Sequence, residues 1–263
     1  MQMLKLMNPT YPPTPTRRSH PYVIRVLMPF CLFPVLMGIA WAVSRSMMGK
    51  EGLFLHINGW VGNQWFDQWM VFGTLIGHGL TYVVLIIGAL WIRARWAMML
   101  ATGFLLSGLL CQVGKRLLWA DLLRPRLYFE QQGLDILWVE GIKPYGHHSF
   151  PSGHAATAFA MLALMAFMSE VPRNRILLGL MAGWVGFTRV YLAQHFMVDV
   201  VAGALLGTAC AYFAATVFGQ PLPGMPWAEG RFSRQLRWRA LPGQAHFNHS
   251  TSEDSNASRL GSL

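Results

Sequence analysis

Two short stretches of the chain combine residue types that could act on an anion. The first is 151-PSGH-154, in which Ser152 and Gly153 precede His154 at the start of an apolar run. Free backbone N–H groups at a helix start, together with the positive end of the helix dipole, favour a bound anion. His154 would lie in the first turn of that helix, where its imidazole can donate a proton. This stretch therefore predicts an anion site with a proton donor beside it.

The second stretch, 188-TRVYLAQHFMVD-199, holds a histidine and an aspartate four residues apart. On one helix His195 and Asp199 would share a face, so the carboxylate can accept a hydrogen bond from one imidazole nitrogen. That contact would fix the tautomer and leave the other nitrogen free to act as a nucleophile. Arg189 reaches the same site only if the helix breaks, and we expect a break near Gln194–Phe196.

Cations complete the predicted site, namely Lys115 and Arg124 together with Arg189. Cations and preorganised N–H donors suit the charged oxygens of a phosphoryl group in transfer, and that chemistry has no obligatory metal. We expect neither a metal nor a cofactor, because the three cysteines lie far apart in apolar stretches, without the spacing of metal ligands: Cys31, Cys111 and Cys210.

The elements that must position these residues are predicted to be membrane helices. Of the 263 residues, 54% are hydrophobic and 12% are charged, whereas a soluble domain carries about 25% charged residues. The segment 51–69 mixes aromatic and polar residues, which is typical of an interfacial helix. Six windows approach the length of about 20 apolar residues that a span needs, at 22–44, 70–92, 96–115, 154–171, 175–194 and 197–218. The predicted fold is an all-α, integral membrane six-helix bundle with short interfacial helices.

The charges outside the apolar windows predict the orientation. With six spans, the basic segments fall on one side, which the positive-inside rule makes cytoplasmic; they contain Lys5, Arg17, Arg18, Arg93, Arg95, Arg173, Arg175, Arg231, Arg234, Arg237 and Arg239. We therefore predict cytoplasmic tails at 1–21 and 219–263 and a transmembrane catalytic domain at 22–218. Short loops suggest a bacterial inner membrane, with the site facing the periplasm. The excess of 21 basic over 11 acidic residues is attributed to these flanks and not to nucleic-acid binding.

Taken together, these stretches resemble the three-part signature of the type 2 phosphatidic acid phosphatase (PAP2) superfamily: Lys-x6-Arg-Pro, Pro-Ser-Gly-His and Ser-Arg-x5-His-x3-Asp. The second part matches fully at 151–154. The third part matches at Arg189, His195 and Asp199, with Thr188 where the family has serine. The match of an ordered pair of motifs is far more specific than a lone Pro-Ser-Gly-His.

The first part of the signature departs from the family pattern. Eight residues separate Lys115 from Arg124-Pro125, and Arg116 is the alternative for the first basic position. Lys115 is preferred because its chemistry matches. The resemblance covers the core from about 50 to 218, since the order of the motifs and the short apolar helices before them are also similar to membrane members of the family.

This resemblance implies a membrane-embedded lipid phosphatase. His195 would carry the phosphate as a phosphohistidine with Asp199 as its partner, His154 would protonate the leaving oxygen, and water would then attack. The phosphate would be held by Lys115, Arg124, Ser152, Gly153 and Arg189. Polyprenyl pyrophosphate, phosphatidylglycerophosphate, phosphatidic acid and the phosphates of lipid A all stay open as substrates. Other acidic and histidine residues are interpreted as structural or loop residues: Asp67, His78, Asp121, His147 and His148.

Three other functions share parts of this pattern. A lipid phosphotransferase would use the same phosphohistidine with another acceptor, for example in lipid A modification. A vanadate-dependent peroxidase shares the anion pocket but is disfavoured, because relatives of that kind are mostly soluble. A non-enzymatic anion transporter would distribute polar residues along a path through the spans, whereas here they cluster at one end. The expected partners are a phosphorylated lipid and the surrounding membrane lipids, and the oligomeric state is left open.

Overall fold

The structure, a computed structural model, describes residues 20–49, 51–143, 145–169 and 171–220. Within those ranges every regular element is a helix, so the all-α prediction is confirmed there. The helices are α1 (His20–Met48), α2 (Gly52–Asn58), α3 (Gln64–Ile76), α4 (Gly79–Ile92), α5 (Ala94–Val113), a π-helical turn (Gly114–Leu118), α6 (Pro125–Glu130), α7 (Gly153–Met168), α8 (Pro172–Tyr191) and α9 (Met197–Phe218). Most of the predicted tails lie outside the described residues, and the domain limits stay a prediction.

Fewer helices of the described chain meet the requirements of a span than the six predicted. Three are long and apolar enough to cross a membrane, namely Pro21–Met48, Ala94–Leu118 and Met197–Phe218. The predicted span 70–92 is instead two helices, α3 and α4, which bend by 49° at a short break and count as a fourth candidate if taken together. With 16 residues, α7 is short for a span, and α8 carries arginines at both ends. The count of six therefore stays a prediction.

The predicted interfacial segment 51–69 forms two elements and not one. It contains all of α2 and the first turns of α3. Asn58 at the end of α2 exchanges two hydrogen bonds of 2.9 Å with the backbone of Leu137. This pairing fixes the loop after α6 on the same end of the molecule as α2.

The central helix of the bundle is α7, since α1, α5, α8 and α9 all pack against it. Most of its residues are buried, and all of these are alanine, leucine, methionine or phenylalanine. A helix that is apolar on every side is stable only inside a protein or a membrane. Although α7 is short for a membrane span, the helices packed around it bury its apolar side chains.

The backbones of α7 and α9 approach each other closely in this core. A Cβ atom added at Gly203 would lie 2.3 Å from the carbonyl oxygen of Ser152, and one at Gly207 would lie 2.2 Å from that of Ala156. Only hydrogen fits at either position, and glycines four residues apart lie on one helix face. We call these two contacts the glycine seam. It holds the start of α7 against the first turns of α9.

The helices alternate in direction, so that α5 and α8 end where α7 and α9 begin. At the opposite end of the bundle, Arg95 Nη1 donates a hydrogen bond of 2.8 Å to the carbonyl oxygen of Phe218, which joins the start of α5 to the end of α9. Arg175 Nη2 donates to the Tyr22 hydroxyl at 3.3 Å and joins the starts of α8 and α1. All the predicted site residues consequently lie at the other end.

Candidate active site

The predicted break near Gln194–Phe196 is confirmed, because α8 ends before these residues and α9 begins after them. In the linker, the N–H groups of Gln194 and His195 donate to the carbonyl oxygen of Arg189 at 3.0 and 3.1 Å. Ala193 has a φ of 52°, in the left-handed region where the chain turns back. This turn places the buried His195 beside Arg189.

Asp199 meets His195 from the first turn of α9. Its Oδ2 lies 3.4 Å from Nδ1 of His195, and it also accepts hydrogen bonds from the Ser149 hydroxyl and from the Phe196 N–H. The predicted contact is present, but the predicted shared helical face is wrong. His195 lies in the linker, and Asp199 reaches back to it as a side chain that caps the helix start. With Nδ1 facing the carboxylate, Nε2 is the nitrogen left for a ligand.

The surroundings of His195 keep its imidazole neutral. Burial is the largest influence, and the positive charges of Arg124, Lys115 and Arg189 act in the same direction, so the pKa of His195 lies well below its ordinary value. The neutral imidazole is the nucleophilic form of this side chain. The site therefore contains an unprotonated histidine among cations.

The start of α7 is tied to both neighbouring parts of the site. The Ser152 hydroxyl accepts from the Ala155 N–H at 3.5 Å, as expected of an N-cap residue. The Ser152 N–H itself donates to the carbonyl oxygen of Asp199 at 2.9 Å. A Cβ atom added at Gly153 would lie 3.8 Å from Nζ of Lys115. The ammonium group of Lys115 thus faces the helix start.

A π-helical turn lies at the start of the first motif, where the spacing departs from the family pattern. The Trp119 N–H bonds to the carbonyl oxygen of Gly114 at 2.8 Å, and this wider turn begins the path from α5 to Arg124. Lys115 is half-buried toward α7, whereas Arg116 is exposed. The geometry therefore favours Lys115 over Arg116 for the first basic position.

Arg124 is fixed close to the linker between α8 and α9. Its Nε donates to the carbonyl oxygen of His147 at 3.0 Å, and its Nη1 donates to that of Gln194 at 3.1 Å. Its guanidinium carbon lies 5.1 Å from the centre of the Tyr145 ring. Arg124 and His195 are thus brought together although 70 residues separate Arg124 from Gln194.

The cations of the site have no carboxylate partner among the described residues. Within 4.0 Å, no ion pair to a carboxylate is formed by Lys115, Arg124 or Arg189 among the described residues. The carboxylate of the site, Asp199, instead pairs with His195. Arg189 is 6% exposed, and its Nε is buried without a hydrogen-bond partner in the described chain. Because a buried charge is costly unless it is paired, this arrangement favours an anionic ligand.

The sequence analysis missed several residues of the site. The Ser149 hydroxyl binds Asp199, the Thr74 hydroxyl accepts from Arg189 Nη1, and the ring of His78 lies 5.9 Å from that of His154, centre to centre. Thr74 and His78 belong to the predicted span 70–92 and to no motif. The available signal was that both are polar residues inside an apolar run.

Two of the residues interpreted as structural or loop residues, Asp67 and His148, make contacts of that kind, whereas His78 lies beside the site. Asp67 accepts a hydrogen bond from the Tyr191 hydroxyl, and His148 Nδ1 lies 3.0 Å from the carbonyl oxygen of Lys115. Among the described residues no group of three or more His, Cys, Asp or Glu side chains is arranged to hold a metal ion.

The segment that carries the signature is similar to known protein sequences. The sequence profile of the PAP2 superfamily matches residues 96–222. Two curated relatives are described as lipid A 1-phosphatase: the Rhizobium johnstonii protein is 37% identical over 81 residues, 29% of this chain and 32% of the relative, and the Rhizobium etli protein is 33% identical over 125 residues, 46% of this chain and 50% of the relative. Phosphatidylglycerophosphatase B of Bacillus subtilis is 34% identical over 86 residues, 27% of this chain and 42% of the relative. The matches thus span half or less of these relatives' own lengths.

A solved structure has a similar fold. The crystal structure of Aquifex aeolicus LpxE superposes with a TM-score of 0.55 and 26% sequence identity, covering 62% of this chain and 93% of that chain. The profile match contains all three parts of the signature, from Lys115 to Asp199. Residues 96–222 of the chain thus match the PAP2 superfamily.

Proposed function

We propose that this chain is a membrane-embedded lipid phosphatase that hydrolyses a phosphate monoester or a pyrophosphate ester of a lipid through a phosphohistidine at His195. One observation carries the proposal: three cations that have no carboxylate partner in the described chain act on the buried His195, which is 1% exposed. A phosphoryl group supplies the negative charge that these cations lack, and His195 supplies the nucleophile.

The proposed reaction proceeds in two steps. In the first, Nε2 of His195 attacks the phosphorus atom, a P–N bond forms, and the P–O bond to the lipid breaks while His154 gives its proton to the leaving oxygen. In the second, His154 takes a proton from water, the water oxygen attacks the phosphorus, and the P–N bond breaks to release inorganic phosphate. Asp199 holds the imidazole ring through Nδ1 in both steps.

The remaining site residues would bind the phosphoryl oxygens. Lys115 lies beside Gly153 at the start of α7, and Arg124 and Arg189 are both bonded to the linker that carries His195. The free N–H groups of the first turn of α7, capped by Ser152, add donors aimed along the helix axis. Donors fixed before the reaction stabilise the charge of the transition state without reorganising.

We also propose that the chain crosses the membrane six times, with both termini in the cytoplasm and the site on the periplasmic side of a bacterial inner membrane. The support is that Arg93, Arg95, Arg173 and Arg175 lie at the end of the bundle opposite the site. Single cysteines at 135 and 173, made as Asp135→Cys and Arg173→Cys after replacing the three natural cysteines by serine, test this topology. An impermeant maleimide added to intact cells should label only the first, and labelling of the second alone would reverse the orientation.

The relatives named above make lipid phosphates the first substrates to try, including lipid A and phosphatidylglycerophosphate. The experiment is phosphate release by detergent-purified protein, without added metal, from a panel of lipid phosphates. We expect His195→Ala to lower the rate by about 10⁴-fold or more, as removal of a catalytic nucleophile does. The control is His56→Ala, which removes an exposed histidine of α2 whose ring contacts that of Trp60 edge to face.

Three outcomes separate the competing functions. Release that depends on His195 and not on His56 supports the hydrolase. Transfer of phosphate to a second lipid, without release, would replace it by a phosphotransferase. Anion binding without either reaction would leave a non-enzymatic anion site.

A further inference from the structure

One side of the site is built by a helix outside the segment that the PAP2 profile matches. Helix α3 lies against the last turns of α8, and side chains at both of its ends bind that helix. Asp67 accepts from the Tyr191 hydroxyl, and Thr74, seven residues later on the same face, accepts from Arg189. Between them, Gly73 is so close to Trp184 that an added Cβ would lie 2.7 Å from its ring.

The bend after α3 brings the chain against His154 as well. A Cβ atom added at Gly77 would lie 3.0 Å from the carbonyl oxygen of His154 and 2.7 Å from Cγ1 of Val185. The next residue, His78, accepts a hydrogen bond from the Leu80 N–H at 3.2 Å and caps α4. The break between the two helices is therefore where α3 and α4 contact the site.

The contact between Thr74 and Arg189 determines where the guanidinium points. Thr74 is 8% exposed, so no bulk water replaces it as a partner of Arg189. Because Nη1 is held by the Thr74 hydroxyl, the planar guanidinium has a fixed direction, and its buried Nε keeps no protein partner among the described residues. Among the described residues, Arg189 has no carboxylate partner that could orient its guanidinium, and its side-chain hydrogen bond is to Thr74.

We propose that Thr74 is a positioning residue of the active site, whose hydroxyl aims the guanidinium of Arg189 at the phosphoryl group. This inference rests on the proposed function of the site as a phosphate site. It extends the site to α3, beyond residues 96–222. A donor that must be oriented before the reaction loses much of its effect when its support is removed.

The test compares three variants in turnover of the preferred lipid phosphate. Thr74→Val keeps the shape and removes the hydroxyl, and we expect kcat/KM to fall about tenfold, the factor that a hydrogen bond to a charged group is worth. Thr74→Ser keeps the hydroxyl and should restore kcat/KM to within about twofold to threefold of wild type. The matched control is Thr81→Val, which removes a hydroxyl bonded to the Leu75 carbonyl oxygen at the same bend but away from Arg189.

A double-mutant cycle distinguishes positioning from a general effect on stability. In an Arg189→Lys background, Thr74→Val should lower kcat/KM no further, because the group that it positions is gone. An equal loss in both backgrounds, or a loss that Thr74→Ser does not restore, overturns the inference. So does a Thr74→Val enzyme with wild-type kcat and KM.

Failure of the proposed function has a different signature. If the wild-type protein releases phosphate from no lipid, calorimetric titration with orthovanadate measures the anion site directly. Thr74→Val should then weaken vanadate binding about tenfold relative to Thr74→Ser and Thr81→Val. Equal vanadate affinities in the three variants would reject the role of Thr74 whatever the protein catalyses.

Discussion

The two sides of the active site are built by different kinds of contact. On one side, α7, α8 and α9 are joined through their backbones: Ser152 N–H to the Asp199 carbonyl, His195 N–H to the Arg189 carbonyl, and the glycine seam. On the other side, α3 and α4 reach the site through side chains, with Thr74 as the clearest case. The outer faces of these two helices are largely exposed large apolar residues, among them Trp69, Phe72 and Leu80.

This difference indicates how the work of the site is divided. Backbone contacts fix where His195 and the start of α7 lie, and few substitutions can change them. Side-chain contacts from α3 orient groups that are already present, so we expect them to affect the rate of the proposed reaction without creating its chemistry. Substitutions on the α3 and α4 side should therefore change the activity of the site without abolishing it.

Among substitutions of the proposed phosphate-binding cations, the largest loss of kcat/KM is expected on the side that is fixed by backbone contacts. Arg189→Gln should lower kcat/KM about 10²- to 10³-fold, the loss typical of removing one preorganised donor to a developing charge. Arg175→Gln is the control, because Arg175 lies at the other end of the same helix, beside Tyr22. Steady-state kinetics on the preferred lipid phosphate measure both variants. A loss below about tenfold for Arg189→Gln would contradict the view that the backbone-fixed side provides the main phosphate contacts.

Next in size is the difference between two adjacent cations. Lys115→Gln should lower kcat/KM by about tenfold to a hundredfold, since its ammonium faces the start of α7, and charge-assisted contacts to phosphate are worth that much. Arg116→Gln, an exposed neighbour on the π-helical turn, should change kcat/KM by less than about twofold. The opposite ranking would place Arg116 in the first motif position.

The bend between α3 and α4 should respond to a single methyl group. Gly77→Ala forces a Cβ against Val185 and the His154 carbonyl, and we expect about 1–3 kcal/mol of destabilisation. Gly88→Ala is the control within α4, because an added Cβ there meets no atom within 4 Å. Thermal unfolding in detergent compares the two variants. Equal midpoints would show that α4 can move away from the site without loss.

The last prediction is that the protonation state of His195 does not change between pH values of about 7.5 and 6.5. Since burial and three cations hold the pKa of His195 well below its ordinary value, the imidazole is neutral above that lowered pKa and gains a proton only in more acidic solution. We expect the ¹³Cε1 resonance of His195, assigned by its loss in His195→Gln, to keep the neutral shift as pH falls from about 7.5 through the ordinary value of about 6.5. A titration centred near that ordinary value would contradict the electrostatic description of the site.

How much could be predicted differs between the two sides for a physical reason. The motif residues of α7 to α9 are polar or charged at the ends of apolar runs, where charge is costly and spacing is informative. Their convergence at one end, and the break before α9, followed from the sequence. Thr74 carries only the weak signal of a polar residue inside an apolar run, and Gly77 carries none, since a threonine and a glycine are ordinary in an apolar helix.

Two local details also escaped the sequence analysis. A shared helical face was predicted for His195 and Asp199, but the contact arises from a capping side chain, because the helix begins only after His195. The eight residues between Lys115 and Arg124 depart from the motif, and the structure places a π-helical turn at the start of this segment, which the sequence analysis did not predict. Both are irregular backbone segments, which periodicity in a sequence cannot describe.

The glycine seam also bears on whether this bundle could act as a conduit. Carriers that expose a central site to each side of the membrane in turn do so by rocking one group of helices against another. Here the backbones of α7 and α9 touch at Gly203 and Gly207. Rocking at this interface would separate the two helices that form the pocket and would break the close contacts of Gly203 and Gly207 with the carbonyl oxygens of Ser152 and Ala156. A rigid contact between these two backbones therefore favours release of a bound anion to the side from which it entered.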